Sequence, residues 1–192
     1  MKTLPVIENA YLYIQDDTIV EFGTMDFCEG IDAETEIDAS GKIVLPSWCD
    51  SHTHIVYAGN RVPEFVDRIN GLSYAEIANR GGGILNSALQ LQDTSEDELY
   101  EQSMRRLNEI ITMGTGAVEI KTGYGLTVEA ELKMLKVIRR IKQDTLAKIA
   151  PTLLAAHAIP TEFKDNKQDY IDKIINELIP KASALRIKKY ID

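Results

Sequence analysis

The sequence predicts an α/β protein on a parallel sheet: about the first half of a (β/α)8 TIM barrel, preceded by strands of a small second β domain. Three observations lead there. From residue 43 onward, apolar strand-like runs alternate with amphipathic helical stretches, the pattern of parallel strands joined by right-handed crossovers. The residues equipped for chemistry, His52, His54, Tyr124 and His157, all fall where a strand run ends, and a barrel gathers its chemistry at the C-terminal ends of its strands. The open doubly wound alternative lacks its signature. Gly81-Gly82-Gly83 has no G-x-G-x-x-G spacing and does not directly follow a strand, and Thr122-Gly123-Tyr124-Gly125 has no third glycine at the right place. A complete barrel takes about 250 residues, and the stretch 46–192 amounts to about three and a half β/α units.

Residues 1–45 read as short strands and turns. Val, Ile and Tyr enrich 6–14, Asp16-Asp17 signals a turn, and 18–22 is a second strand before Gly23. A third strand is expected over 35–38. These strands are too few to bury a core alone. The first barrel strand is expected over 43–49, as a buried run. A polar loop around Gly59-Asn60-Arg61-Val62-Pro63 comes next. Ser73 with Glu76 has the form of a capping box and opens a short helix through Asn79, which Gly81-Gly82-Gly83 breaks. Thr94-Ser95-Glu96-Asp97 caps a longer helix carrying Leu99, Met104, Leu107, Ile110 and Ile111 at helical spacing. The second barrel strand is 117–121. An amphipathic helix over 128–143 presents Leu132, Leu135, Ile138 and Ile141 on one stripe. A third strand spans 149–156, a third helix 169–178 closes at Pro180, and 189–192 begins a fourth strand.

The totals exclude several functions. The chain has 192 residues and a formal net charge of −9, with 44% hydrophobic and 27% charged residues. That is ordinary for a globular protein. With no basic cluster longer than Lys188-Lys189 or Arg139-Arg140, a nucleic-acid partner is not expected. No apolar run approaches the roughly 20 residues of a membrane helix, and the N-terminus has no signal-peptide core. Two cysteines, Cys28 and Cys49, make no disulfide framework. A cytoplasmic location is the expectation.

Two of the three histidines stand in Asp50-Ser51-His52-Thr53-His54. Strand side chains alternate with period 2, so His52 and His54 share a face at the end of the first barrel strand and could grip one metal ion. The plainer alternative is two polar residues closing a strand. Asp50 shares that face. It either orients a ligand imidazole or caps the strand end.

The run from Asp38 to His54 resembles the amidohydrolase superfamily, metal-dependent hydrolases on a (β/α)8 barrel with a small β-sandwich built from both chain ends. Four motifs narrow the resemblance to the imidazolonepropionase family. They are 52–61, Arg80-Gly81-Gly82-Gly83-Ile84, 119–126 and Ala155-Ala156-His157-Ala158-Ile159-Pro160, and they match in order and spacing. Ser47-Trp48-Cys49-Asp50-Ser51 departs from the family's more usual Gly-Phe-Val-Asp-Pro. The resemblance implies residues 1–45 as part of the composite sandwich and 46–192 as the first barrel units. The family is about twice as long, and its later His and Asp ligands fall beyond Asp192.

The implied reaction is metal-dependent hydrolysis of 4-imidazolone-5-propanoate to N-formimidoyl-L-glutamate, with one Zn²⁺ or Fe ion per full-length chain. His52 and His54 would ligate the metal. Arg61 would hold the substrate propionate with its guanidinium fork, aided by Tyr74. Tyr124 would bind substrate, and His157 would bind it and serve catalysis by hydrogen bonding to the imidazolone. Against these stand plainer readings: a surface arginine, a packing aromatic at a helix start and a strand-end histidine. A third metal ligand is a second reading of His157. Lys121 is read as structural, since the resemblance is to mononuclear members. The triglycine either cradles an anion or is a flexible turn. The implied partner is a small-molecule substrate, with a homodimer left open. The alternatives are another cyclic-amide hydrolase or aminohydrolase of the same superfamily, or an inactive half-barrel.

Overall fold

A computed structural model describes residues 5–187 and 190–191. The chain divides into two compact units, Met1–Pro46 and Ser47–Asp192.

The first unit holds an antiparallel hairpin, β1 (Ala10–Gln15) and β2 (Thr18–Thr24). Asp16 turns the chain with φ 56°, a left-handed conformation that Asp tolerates better than most residues. A short 3₁₀ turn, Met25–Phe27, comes after it. The strand expected over 35–38 does not form. Ile37 is 83% exposed, and no neighbouring strand is paired with this segment among the described residues. The β-branched Thr35 and Ile37, alternating with Glu36 and Asp38, cannot hold a strand without a ladder to join.

The second unit is built on a four-stranded parallel sheet. Its strands are β3 (Trp48–Thr53), β4 (Thr115–Lys121), β5 (Lys148–Leu153) and β6 (Tyr190–Ile191), adjacent in chain order. The expected strand at 43–49 is shifted and is not buried. Ile43 is 85% exposed and Trp48 60%, and the ladder to β4 starts at Trp48↔Thr115. Among the described residues β3 is an edge strand, with a neighbour on one side only, so apolar character upstream did not translate into burial. Cys49, expected inside, is exposed. β4 and β5 stay in register from Ala117↔Lys148 to Lys121↔Thr152. β5 stops at Leu153 rather than 156. The fourth strand does begin, pairing Thr152↔Tyr190 and Leu153↔Ile191; Lys189 and Asp192 lie outside the described residues.

The helices are α1 (Val62–Ile69), α2 (Tyr74–Asn79), α3 (Ile84–Asp93), α4 (Glu96–Thr112), α5 (Val128–Asp144), α6 (Lys167–Lys173) and α7 (Ile179–Ala184). The capping box of α2 is complete: the Ser73 side chain accepts from Glu76 N–H, and the Glu76 carboxylate accepts from Ser73 N–H at 2.8 Å. Ser95 caps α4 and Thr127 caps α5. The sequence reading missed α1 and α3. The first hides in an Arg61-Val62-Pro63 start, where proline suits the first turn because its missing N–H would be unpaired anyway. The helix expected to end at Pro180 continues: Ile174–Leu178 winds as a π-helical turn, and α7 begins with Pro180 in its first turn. Widening the helix there accommodates a residue that cannot donate.

α4 and α5 pack against the sheet. Leu99 and Leu107 of α4, Met134 and Ile138 of α5, and Val118 and Ile120 of β4 are all buried in one core. A second cluster joins Leu135 and Val128 of α5 to Leu153, Leu178 and Ala182. At about 1.5–3 kcal/mol per buried large apolar side chain, these contacts fix the strand order, and with it the loops that come after β3, β4 and β5.

Candidate active site

Those three loops bring together His54, Tyr124 and His157. His54 stands one residue past β3, the Tyr124 loop succeeds β4, and His157 lies in the turn after β5. The His54 and Tyr124 rings are stacked, with centroids 4.9 Å apart and planes 22° apart. His157 lies 5.1 Å from His54 and 5.7 Å from Tyr124. His52 meets His54 edge-on at 5.9 Å. His54 is half-buried, whereas His52 and His157 are exposed.

The surroundings of His54 keep it neutral. Burial, then the neighbouring His157, His52 and Lys121, hold its imidazole down at about 4, with the Thr122 backbone pulling weakly the other way. Its Nδ1 is buried without a hydrogen bond of good geometry. A neutral ring with an unspent lone pair suits a metal ligand, so His54, with the His52 ring 5.9 Å away, could hold part of a metal site. They are not a whole one. Among the described residues no group of three His, Cys, Asp or Glu side chains is arranged to hold a metal ion, so His157 does not complete a three-histidine set in this geometry.

Asp50 does not reach a ring. Its Oδ1 accepts from the His52 backbone N–H at 3.2 Å, the strand-capping role. Thr53 fastens β3 to β4, its hydroxyl donating to Glu119 O at 2.5 Å. Lys121 is buried and lies 3.7 Å from Glu119 Oε2, while Glu119 Oε1 accepts from the Thr152 hydroxyl at 2.6 Å.

Arg61 stands at the head of α1, where its Nε donates to Glu64 Oε2 at 2.7 Å. Glu64 also accepts from Gly83 N–H at 2.9 Å, and these donors hold it below the usual carboxylate range. The Arg61 guanidinium is within electrostatic reach of Tyr74 and Tyr124. Tyr74 opens α2, with the Arg68 guanidinium 5.8 Å over its ring. The triglycine therefore receives a carboxylate of this chain at Gly83, and Gly83 itself has φ 85°, where glycine escapes the Cβ penalty.

Sequence reasoning missed Glu64, Arg106 and Glu131. Arg106 on α4 donates to Ile55 O at 3.0 Å and Tyr57 O at 2.8 Å, with its guanidinium 3.5 Å over the Tyr57 ring. It clamps the segment just past His54. Glu131, on α5, holds the backbone of the Tyr124 loop. Each looks like an ordinary charge on a helix face. Only its partner outside its own helix sets it apart.

No protein-family model matches the chain. It is 60% identical over all 192 residues to an imidazolonepropionase of Christiangramia forsetii. It is 59% identical to that of Flavobacterium psychrophilum and 58% to that of Flavobacterium johnsoniae, again over 192 residues. Along its whole length the chain is similar in sequence to imidazolonepropionases. It spans about half the length of these curated relatives, 47% of each. The enzyme name describes those longer proteins, and the ring cluster belongs to this chain.

Proposed function

We propose that this chain supplies the first part of an imidazolonepropionase, a cytoplasmic hydrolase of histidine degradation. It would convert 4-imidazolone-5-propanoate and one water to N-formimidoyl-L-glutamate. The observation that carries the reading is the His54, Tyr124 and His157 cluster at three successive parallel strand ends, in a chain 58–60% identical to imidazolonepropionases throughout.

The strand order supports a barrel. Described strands β3 to β6 run in chain order without reversal, whereas a doubly wound sheet reverses at a switch point. In this reading residues 46–192 are the first barrel units and 1–45 belong to a composite β-sandwich. His52 and His54 would be two ligands of one Zn²⁺ or iron ion, the others coming from the rest of the longer protein. Such an ion, when bound, lowers the pKa of a water toward neutrality and polarises a carbonyl.

This chain's own residues would bind and orient. Arg61 pairs with the propionate through its fork, in exchange for the Glu64 carboxylate that occupies it in the free chain. Tyr74 donates its hydroxyl to the same carboxylate. Tyr124 lies against the flat imidazolone ring, and His157 hydrogen-bonds to the ring carbonyl as negative charge builds on its oxygen. A small-molecule substrate is the partner, no nucleic acid or membrane is engaged, and a homodimer is compatible with the reading. No helix among the described residues is long and apolar enough to cross a membrane.

The test is turnover of 4-imidazolone-5-propanoate by the polypeptide at the length of its relatives, read by mass spectrometry as the gain of one water. Arg61→Met should raise KM about 10–100-fold, the loss of a bidentate charge-assisted contact. Turnover of a cyclic ureide or a purine, with the imidazolone untouched, would overturn the reading. A second reading, that the 192-residue chain is inactive alone, is favoured by the incomplete metal-ligand set among its described residues. Elemental analysis after gel filtration should then find well under one zinc or iron per chain. One tightly held ion would bring a second chain, or a rearranged His157, into the site.

A further inference from the structure

We propose that Glu131 is a positioning residue: its buried carboxylate shapes the loop at 122–126 so that the Tyr124 ring lies on His54 and beside His157. The inference deepens the imidazolonepropionase reading, in which those rings meet the substrate.

Glu131 is 0% exposed. A carboxylate so placed needs donors on both oxygens, and all of those found come from one loop. Oε2 accepts from Gly123 N–H at 3.0 Å; Oε1 accepts from Gly125 N–H at 2.7 Å and Leu126 N–H at 3.2 Å. Thr122 adds a side-chain hydrogen bond. Thr127, with Ala130 N–H donating to its hydroxyl at 3.1 Å, already caps α5, so Glu131 is left to reach past the helix end.

The loop needs such a hold. Gly123 has φ 108° and Leu126 φ 58°, and a left-handed leucine is strained on its own. The loop is also pinched. A Cβ at Gly125 would fall 2.6 Å from Glu131 N, and one at Gly123 would fall 2.7 Å from Leu154 O and 2.8 Å from His157 Cβ. Tyr124 sits between these two glycines.

The same carboxylate reaches His157 by a chain of bonds. Thr122 Oγ1 accepts from Leu154 N–H at 3.1 Å, and Leu154 O accepts from His157 N–H at 3.3 Å. Glu131 thus governs both walls of the ring cluster from α5 without touching either ring. Burial pushes the Glu131 carboxyl up, the Thr122 side chain and the loop N–H groups pull it back down, and a carboxylate suits the task because it can accept at every position facing them. A glutamine would turn a donor NH₂ toward Gly123 or Gly125 N–H.

The test is NMR of the 192-residue chain, reading ring-proton cross-peaks from Tyr124 to His54 and to His157. Both should be present in the wild-type chain. Glu131→Gln should lose both while the backbone signals of α4 and the far-UV circular dichroism stay unchanged, and Glu131→Asp should restore them in part. Persistence of both cross-peaks in Glu131→Gln would overturn the proposal. If Glu131→Gln does not fold, Thr122→Val decides. It should lose the Tyr124–His157 contact and keep Tyr124–His54, and unchanged contacts in that variant overturn the proposal. No substrate enters these measurements, so failure of the ring contacts and failure of imidazolone turnover remain separate results.

Discussion

His54 holds its imidazole among the rings of His52, Tyr124 and His157 and is proposed as a metal ligand, and its titration tests the packing directly. Held at about 4 in the folded chain against 6.5 free, it binds fewer protons than the unfolded chain between those values. Its contribution to stability is therefore present above about pH 6.5 and is lost as pH falls toward 4. For a half-buried ring, with solvent screening discounted, the loss is about 1–2 kcal/mol. Urea unfolding at pH 7 and pH 4.5, with chelator present, should show that loss, and His54→Gln should remove most of it. Gly123→Ala is a second residue-scale case. The new methyl meets a backbone carbonyl at 2.7 Å in a left-handed conformation, so a cost of about 1–3 kcal/mol is expected. A variant as stable as wild type in the same assay would show that the loop can relax. The sequence displayed His52-x-His54 because that pairing is local. It displayed nothing of the His54–Tyr124 stack, which is made by residues 70 positions apart.

At the scale of elements, the legible ones announce themselves locally. α2 and α4 start at Ser73 and Ser95, short polar side chains that accept from the first turn. α5 shows its apolar stripe. α1 and α3 lack such signals. No side-chain cap opens either one, and α3 starts on a glycine. What secures the end of α3 is distant: Lys133 of α5 donates to Leu91 O at 2.8 Å, Gln92 O at 3.0 Å and Thr94 O at 2.7 Å. Lys133→Met should cost about 1.5–3 kcal/mol, the range for hydrogen bonds to a charged group. The midpoint of urea unfolding should fall with its slope unchanged. An unchanged midpoint would mean water satisfies those carbonyls equally well.

At the scale of the molecule, the second unit leaves apolar surface uncovered. β3 and β6 are the edges of the described sheet. α1 buries none of its residues, and Phe65 and Ile69 on it are 65% and 70% exposed. Open edges and apolar faces of this kind associate. Sedimentation of the 192-residue chain should be concentration-dependent, and Phe65→Lys should weaken association about tenfold, the worth of one large apolar contact. A monodisperse monomer at every concentration would count against uncovered surface as a driver of assembly.

The alternation of strand and helix, most helix starts, the two-histidine motif and the four motifs that carry the resemblance could all be read from the residues alone, because each is written in close neighbours along the chain. The same residues could not reveal that 43–47 lies outside the sheet, that 35–38 pairs with no described strand, or that the helix after β5 runs on through Pro180. Burial and ladder bonds depend on what lies across the chain, and a run of apolar residues is the same whether covered or bare. Folding in three dimensions settled that Asp50 caps backbone, that Glu64 occupies Arg61, and that Glu131 reaches the Tyr124 loop. Those choices come down to which donor lies within about 3 Å of which acceptor, and that distance is set by packing.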